Sequence, residues 1–336
     1  MSTVVQRVAS RRELGSIMDL GAGQGYLSRT LAFQHKLHVL AVDGSEVQTC
    51  GAKWFDQRAL RSRPSDGELN HVTDMVTPEN VSTLLARWSK QQEDEKWLVC
   101  GLHACGDLSS LMLRLFIKSN AITSLVNVGC CYHFLTEEHQ PRNNESPSSS
   151  IPAGFPLSGF VKDQLDYRMG SIAHMLACQT PSRWSDKQEE TLKSFEHHFF
   201  RALLQYIMVE KGLAHVDKPP IIGRLNKKKD FVSFPVYVQA ALKRLQMPQD
   251  AISIEEAEAY YAEFKTTRQM DKQIAILWTV RALLAPLLES IVLADRWLYL
   301  KEQLADIPDS ETKGVWMWPL FDPITSPRNM VIVASK

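Results

Sequence analysis

Apolar and polar residues follow two different patterns along this chain. Up to about residue 135, short apolar runs alternate with amphipathic runs, which predicts strands separated by helices. We predict strands at 17–19, 37–42, 69–73, 97–102 and 122–129, and a helix at 108–118. This alternation is typical of a parallel sheet whose strands are joined by crossover helices.

Residues from about 160 to 310 lose the strand alternation and show helical spacing instead. The longer predicted helices are Leu192–Lys211 and Asp271–Gln303, and Ser253–Thr266 is a shorter one. We expect the Asp271–Gln303 helix to kink at Pro286, because proline lacks the backbone N–H that a helix interior needs. His139–Gly154, which is rich in Pro, Ser and Asn, predicts a mobile loop before these helices.

The end of the chain returns to strand-like runs. Val315–Phe321 and Asn329–Ala334 flank a turn with two prolines, which predicts a closing antiparallel hairpin at the edge of the sheet. We therefore predict an α/β fold, a Rossmann-like sheet of five parallel strands plus this hairpin, with a helical insertion before it. The expected segments are a core at 1–135, a mobile loop at 136–160, a helical insertion at 161–311 and the hairpin at 312–336.

Composition and charge exclude few classes of protein. The 336 residues are 44% hydrophobic and 23% charged, which is ordinary for a globular protein. The formal net charge is zero, so the whole chain is no general binder of nucleic acid, although a local basic surface stays possible. The six cysteines lack the spacing of a disulfide framework, which favours a reducing compartment, cytoplasmic or nuclear.

One apolar segment and one basic run are candidate contacts with a membrane and with nucleic acid, respectively. Ile274–Leu300 is the most apolar segment, and four charged residues within it argue against a membrane span: Arg281, Glu289, Asp295 and Arg296. The run Lys227–Lys229, with Arg224 nearby, could contact phosphate, but a solvated turn is the favoured interpretation.

A glycine-rich turn after the first strand carries the strongest chemical signal. Asp19 precedes glycines at alternate positions: Gly21, Gly23 and Gly25. Glycines let the backbone approach a ligand closely, and a helix N-terminus offers free N–H groups. The G-x-G-x-G spacing differs from the G-x-G-x-x-G of dinucleotide-binding enzymes. Asp19 fits S-adenosylmethionine, whose ammonium needs a carboxylate or a water held by one; the alternative is a turn without a ligand.

Further acids follow the second and third predicted strands. Asp43 lies 20 residues beyond Gly23, where an acid accepts both ribose hydroxyls of a nucleoside. Because NAD and S-adenosylmethionine share that ribose, Asp43 does not distinguish them. Asp74 is a candidate for the adenine amino group, or equally a solvated loop residue. Leu102 and His103, at the end of the fourth strand, complete the candidate cofactor-binding set.

Two unusual segments follow the fourth and fifth strands, His103–Ser109 and Gly129–His133. Ligands of open α/β sheets bind beyond the carboxyl ends of the strands, so we expect both segments to face the crevice of the glycine turn. The favoured role is to shape a pocket, with Asp107 capping the next helix. Asp107 or His103 is a candidate general base, and Tyr132 is a third candidate catalytic residue on the acceptor side.

The same segments contain possible metal ligands: His103, Cys105, Cys130, Cys131 and His133. Their spacing does not match the usual pairs of zinc ligands, and the adjacent Cys130 and Cys131 cannot easily point to one centre if the strand pleat continues. We therefore expect no metal. A cysteine nucleophile or methyl carrier is a further possibility that nothing beside the motif demands.

Taken together, these motifs resemble the methyltransferase-like protein 25 family, whose members include the ribosomal RNA adenine dimethylase domain-containing proteins. The matching segments are Gly101–Ser109, Val128–Tyr132, Leu283–Glu289, Asp295–Leu300 and Ser326–Ala334. The resemblance implies a class I S-adenosylmethionine-dependent methyltransferase, with the cofactor role carried by Asp19, Gly21, Gly23, Gly25 and Asp43. Family members carry helical sequence before the glycine turn, so we expect this chain to be a shortened form.

The resemblance implies methyl transfer without naming the acceptor. A more distant similarity, in the His-x-Cys-Gly and Cys-Cys segments, is to eukaryotic tRNA 2′-O-methyltransferases. Adenine dimethylases carry an Asn/Asp-Pro-Pro-aromatic segment after strand four, whereas this chain has His103–Gly106, so adenine dimethylation is not implied. We expect RNA or protein as the acceptor rather than a metabolite. A non-catalytic cofactor-binding scaffold is the alternative, and a nicotinamide-dependent oxidoreductase is less favoured.

Overall fold

The computed structural model places seven strands of its described residues in one mixed sheet. It describes residues 1–62, 64–89, 95–137, 152–164, 168–308 and 311–336. The strands are β1 (Ser16–Leu20), β2 (His38–Asp43), β3 (Leu69–Thr73), β4 (Trp97–Cys105), β5 (Ile122–Cys130), β6 (Gly314–Pro319) and β7 (Met330–Ser335). Their order is β3-β2-β1-β4-β5-β7-β6, parallel except for β7, which pairs antiparallel with β5 and β6. The predicted α/β fold with a closing hairpin is confirmed.

The central strands are buried on both faces, which explains their continuous apolar runs. In β1, Met18 packs with Met112 in one apolar core, and the adjacent Ile17 packs with Leu31 in another. Successive side chains of a strand point to opposite faces, so the two cores lie on the two sides of the sheet. The loops at the ends of these strands therefore extend from a scaffold with an apolar core on each side.

Some of the helices belong to the same compact unit as the sheet, and the others form a second compact unit. The first unit comprises Met1–Gln179 and Ala285–Lys336 and contains the sheet, whereas Thr180–Leu284 forms the second. Helices of the first unit are α1 (Ser2–Arg11), α2 (Tyr26–Arg29), α3 (Glu46–Ser62), α4 (Val81–Trp88), α5 (Asp107–Lys118), α6 (Gly159–Gln164), α7 (Gly170–Ala177) and α12 (Ala285–Ala305). Those of the second are α8 (Gln188–Glu210), α9 (Phe234–Arg244), α10 (Ile254–Ala262) and α11 (Met270–Leu283).

The two units divide the helical region differently from the predicted insertion at 161–311. Helices α6, α7 and α12 belong to the unit that holds the sheet. The Asp295 carboxylate on α12 accepts hydrogen bonds from the backbone N–H groups of Leu157 and Ser158, which tie α12 to the segment before α6. Most of the predicted mobile loop, residues 138–151, lies outside the described residues.

The predicted long helix consists of two helices. Helix α11 ends at Leu283 and α12 begins at Ala285, so Pro286 occupies the first turn of a new helix, where its missing N–H removes no helical hydrogen bond. Met270–Ala305 is long and apolar enough to cross a membrane. The core helix of a protein without a membrane span can also be this long and apolar. In α12, Leu300 and Leu304 are buried in the core beneath the sheet, and the absence of a membrane span stays a prediction.

Candidate functional site

The glycine-rich turn connects β1 to α2 through three left-handed glycines. The φ angles are 73° at Gly21, 55° at Gly23 and 70° at Gly25. Residues that carry a side chain rarely adopt such values. A Cβ on Gly25 would meet His71 Cε1 at 2.8 Å, whereas a Cβ on Gly23 would have no atom within 4 Å. Gly25 is therefore required by packing, and Gly23 presents its backbone to open space that a ligand can occupy.

Arg29 fixes the far side of this turn, and the sequence reasoning missed it. Its Nη2 donates to the Gln24 carbonyl at 2.7 Å, and its Nη1 donates to Asp56 Oδ1 at 2.6 Å. The other Asp56 oxygen lies 2.7 Å from His71 Nε2. Arg29 lies one helical turn after Gly25, but its partner Asp56 lies on α3, which the local pattern does not reveal.

Asp43, at the end of β2, contacts the turn directly. Its Oδ2 accepts the backbone N–H of Gly23 at 2.8 Å, and its Oδ1 accepts the N–H of Ser45 at 2.9 Å. An ionised carboxylate has about four lone-pair sites, so capacity remains for two further donors. The arrangement fits the two adjacent hydroxyls of a ribose.

Asp19 lies beneath the turn and is only 2% exposed. Its Oδ2 accepts the Ser28 hydroxyl at 2.6 Å, which joins the end of β1 to α2. Burial raises the pKa of Asp19 to about 6, partly offset by the Ser28 hydrogen bond. A side chain so enclosed suits the positioning of the turn, or of a water, better than direct pairing with an ammonium group.

The remaining candidate cofactor residues lie at neighbouring strand ends. Asp74 follows β3, its backbone N–H donates to the Asp43 carbonyl at 3.1 Å, and its carboxylate accepts the N–H of Met75 at 2.8 Å. Leu102 is half-buried and pairs with Val128 in the β4–β5 ladder. Both therefore border the edge of the sheet where Asp43 lies, as expected for parallel strands.

His103 occupies a bulge in β4. The register of the ladder shifts between Leu102 and Ala104, and His103 adopts a left-handed φ of 65° with an exposed side chain. A bulge of this kind turns a side chain away from the regular alternation of the strand. Of the three candidate catalytic residues, His103 is exposed, Asp107 is half-buried and Tyr132 is buried.

The predicted capping role of Asp107 is wrong. Asp107 is the first residue of α5, and its carboxylate accepts both the backbone N–H of Thr136 at 2.9 Å and the Thr136 hydroxyl at 2.7 Å. The capping position is occupied by Gly106, which has no side chain that could accept a hydrogen bond from the helix. The carboxylate thus fastens the segment after β5 to the start of α5, and both of its oxygens are engaged.

Tyr132 is buried and joins three of the segments that carry the family resemblance. Its hydroxyl donates to Glu289 Oε1 at 2.9 Å, and Arg328 donates to the other oxygen of the same carboxylate at 2.5 Å. The guanidinium of Arg328 lies 5.7 Å from the centre of the tyrosine ring. Burial and the Glu289 carboxylate raise the pKa of Tyr132. The geometry makes Tyr132 part of the framework around the strand ends.

Three cysteine thiols converge at the same edge of the sheet. Cys105 Sγ lies 3.3 Å from Cys130 Sγ and 3.5 Å from Cys131 Sγ, and all three sulfurs lie within 4.8 Å of one another. The prediction against one centre for Cys130 and Cys131 assumed that the strand pleat continues, and it does not. Cys131 leaves the strand with a left-handed φ of 52°, so the pleat does not continue and both thiols turn inward.

A buried arginine beside the cysteines was also missed by the sequence reasoning. Arg296 on α12 is 1% exposed, and among the described residues its guanidinium nitrogens have no hydrogen-bond partner. A Cβ on Gly129 would lie 2.3 Å from Arg296 Nη1, so the guanidinium packs directly against that glycine. It also lies 5.5 Å from the Tyr132 ring centre. From the sequence, Arg296 could be recognised only as a charged residue within an apolar helix.

Strand order, glycine turn and the acid at the end of β2 together define a class I methyltransferase fold. Residues 1–138 match a protein family described as "Methyltransferase domain". A solved structure, the plantazolicin methyltransferase BpumL in complex with SAH, has a TM-score of 0.27 and 16% identity to this chain. That match covers 38% of this chain and 45% of the solved chain.

Curated relatives confirm the family resemblance. The "Probable methyltransferase-like protein 25" of Homo sapiens is 31% identical over 283 residues, 84% of this chain and 43% of that protein. The Mus musculus protein of the same name is 31% identical over 243 residues, 72% of this chain and 38% of that protein. The chain is thus a homologue of methyltransferase-like protein 25 with a methyltransferase domain, and it spans about two fifths of these relatives' length.

Proposed function

We propose that this chain transfers the methyl group of S-adenosylmethionine to a macromolecular acceptor. The contact of Gly23 N–H with the Asp43 carboxylate carries the proposal, because it holds a ribose-binding acid against an open glycine turn. Gly23 and Asp43 would hold the nucleoside, with Asp74 beside the adenine and Asp19 supporting the turn from below.

The cofactor supplies an activated methyl group on a sulfonium, and its transfer is an in-line displacement. The protein has to align donor and acceptor and exclude water. His103, exposed at the bulge in β4, is the residue best placed to accept a proton from a hydroxyl or amine acceptor. Asp107 and Tyr132 hold the surrounding segments in place through Thr136 and Glu289.

We propose RNA as the acceptor, on an observation within the second unit. A cleft there of about 600 Å³ is lined by four cationic side chains, Arg201, Arg224, Lys227 and Lys228, and by His197, whose pKa is lowered by burial and by the nearby Arg201 and Lys227. Cations clustered in a cleft attract phosphate although the chain as a whole has no net charge. Lys227 and Lys228 line this cleft from an exposed turn, the solvated turn that the sequence favoured. We expect the protein in the cytoplasm or nucleus, in line with its RNA acceptor.

Transfer of a labelled methyl group tests the activity and its acceptor together. The purified chain is incubated with [methyl-³H]S-adenosylmethionine and either total RNA or total protein from the same cells. We expect label that nuclease releases and protease does not, and none with Asp43→Ala. Label that only protease releases would make a protein the acceptor. Cofactor binding without transfer to either fraction would favour the non-catalytic scaffold.

A further inference from the structure

We propose that Cys105, Cys130 and Cys131 bind one Zn²⁺ ion as a three-thiolate site with an exchangeable fourth position. The three residues come from the carboxyl ends of the adjacent strands β4 and β5, where Cys105 is paired with Cys130 in the ladder. Cys131 follows directly and turns back through its left-handed conformation. The site is thus built by the ladder and by the end of β5.

The distances between the sulfur atoms fit a shared metal ion. Zinc binds thiolate sulfur at about 2.3 Å, so tetrahedral geometry separates two such sulfurs by roughly 3.7–3.8 Å. The observed separations of 3.3 and 3.5 Å from Cys105 differ from this by a few tenths of an ångström. A disulfide would require about 2.05 Å. Two separations are therefore close to those of ligands on one ion, the third pair of sulfurs lies within 4.8 Å, and thiolates suit zinc.

The number of ligands indicates an open site. Among the described residues, the group of ligand atoms that lie within 4.8 Å of one another contains these three thiols only. His103 and His133 are close in sequence but outside that group. Structural zinc sites have four protein ligands, whereas sites with three keep a position for water or another ligand. Cys105 is exposed and Cys130 is buried, so the free position faces outward.

Arg296 is a buried cation close to the end of β5. Three thiolates and Zn²⁺ carry a formal charge of −1, which is unfavourable inside a protein without a nearby cation. The buried guanidinium packs against Gly129, the residue before Cys130, and among the described residues it has no hydrogen-bond partner. Its positive charge interacts with Tyr132, Asp295 and Asp107 and also with Cys130, so it lowers the cost of a net negative centre at the end of β5.

Metal content is the first test. The chain is purified without chelator, and zinc, copper and iron are measured per chain by mass spectrometry. We expect about one zinc per chain in the parent and less than one tenth in Cys130→Ser. Cys178→Ser is the matched control, because Cys178 lies nearby, contacting His133 at 3.4 Å, but outside the cluster, and it should keep its zinc. Copper or iron in place of zinc would overturn the choice of ion.

Cobalt substitution tests the site in the parent chain, so the result does not depend on whether a variant folds. The reduced apo protein is titrated with Co²⁺, and we expect saturation at one equivalent with thiolate-to-cobalt charge-transfer absorption. Added imidazole should shift the visible bands, because it enters the fourth position. Bands that do not shift would mean a closed site, and the absence of charge-transfer absorption would overturn the proposal.

Discussion

The backbone N–H of Gly23 donates to the Asp43 carboxylate across 2.8 Å, which links the turn after β1 to the end of β2. Gly23 and Asp43 are 20 residues apart in the chain, and the hydrogen bond fixes the distance between the glycine turn and the acid. The pair defines where the sugar of a nucleoside cofactor would lie in this fold.

Asp43→Ala should weaken the binding of S-adenosylhomocysteine by about 1.5–3 kcal/mol, the usual contribution of hydrogen bonds to a charged group. Calorimetry measures the affinity, and thermal unfolding checks that the variant is folded. The matched control is Asp66→Ala, because Asp66 is an exposed acid that pairs with Lys36. Equal affinities for parent and Asp43→Ala would remove Asp43 from the site.

Gly23→Val should abolish cofactor binding through the open face of the turn. The valine would occupy the space that the ligand needs, and its left-handed φ of 55° adds roughly 1–2 kcal/mol of strain. Gly15→Val is the control, since a Cβ there also meets no atom within 4 Å and Gly15 has no left-handed φ. If Gly23→Val binds the cofactor as tightly as the parent, the ligand does not approach this turn.

Arg29→Met should lower cofactor affinity about tenfold without a direct contact to the cofactor. The variant loses the hydrogen bonds that hold the Gln24 carbonyl and Asp56, so the turn no longer has one fixed conformation. Arg58→Met, an exposed change on α3 beside Trp54, should leave the affinity unchanged. Two variants that bind alike would show that the turn is rigid without Arg29.

Asp19→Asn should change the pH dependence of stability. Because the pKa of Asp19 is raised from 3.8 to about 6 in the folded chain, its contribution is fully present below pH 4 and is lost as the pH rises through 6. The free energy of unfolding of the parent should therefore fall by about 2 kcal/mol relative to Asp19→Asn between pH 4 and 7. Urea unfolding across this range measures the difference; a difference that stays constant would mean that Asp19 ionises normally.

The strands of the sheet could be predicted from local sequence pattern alone. The apolar runs of β1 to β5 and the hairpin of β6 and β7 depend on neighbours within each segment, and the glycine turn has its own local signature. Asp43 could be placed because the spacing from the turn to the end of β2 is set by the fold itself.

The remainder of the site depends on contacts that local pattern does not encode. Asp107 lost its expected capping role because its partner, Thr136, is 29 residues away. Cys131 turns inward through a left-handed residue that is not glycine, so nothing in the sequence marked the end of the pleat. Arg296 reaches Gly129 only because α12 packs with the sheet unit.

Calorimetric titration of the parent chain with S-adenosylhomocysteine, and separately with NAD, measures whether the glycine turn and Asp43 hold the proposed cofactor. Both ligands carry a ribose whose hydroxyls can donate to Asp43. A difference in affinity between them therefore reports the contribution of the glycine turn. We expect one molecule of S-adenosylhomocysteine bound per chain and no measurable heat with NAD. Absence of binding with S-adenosylhomocysteine, or equal binding of NAD, would contradict this expectation.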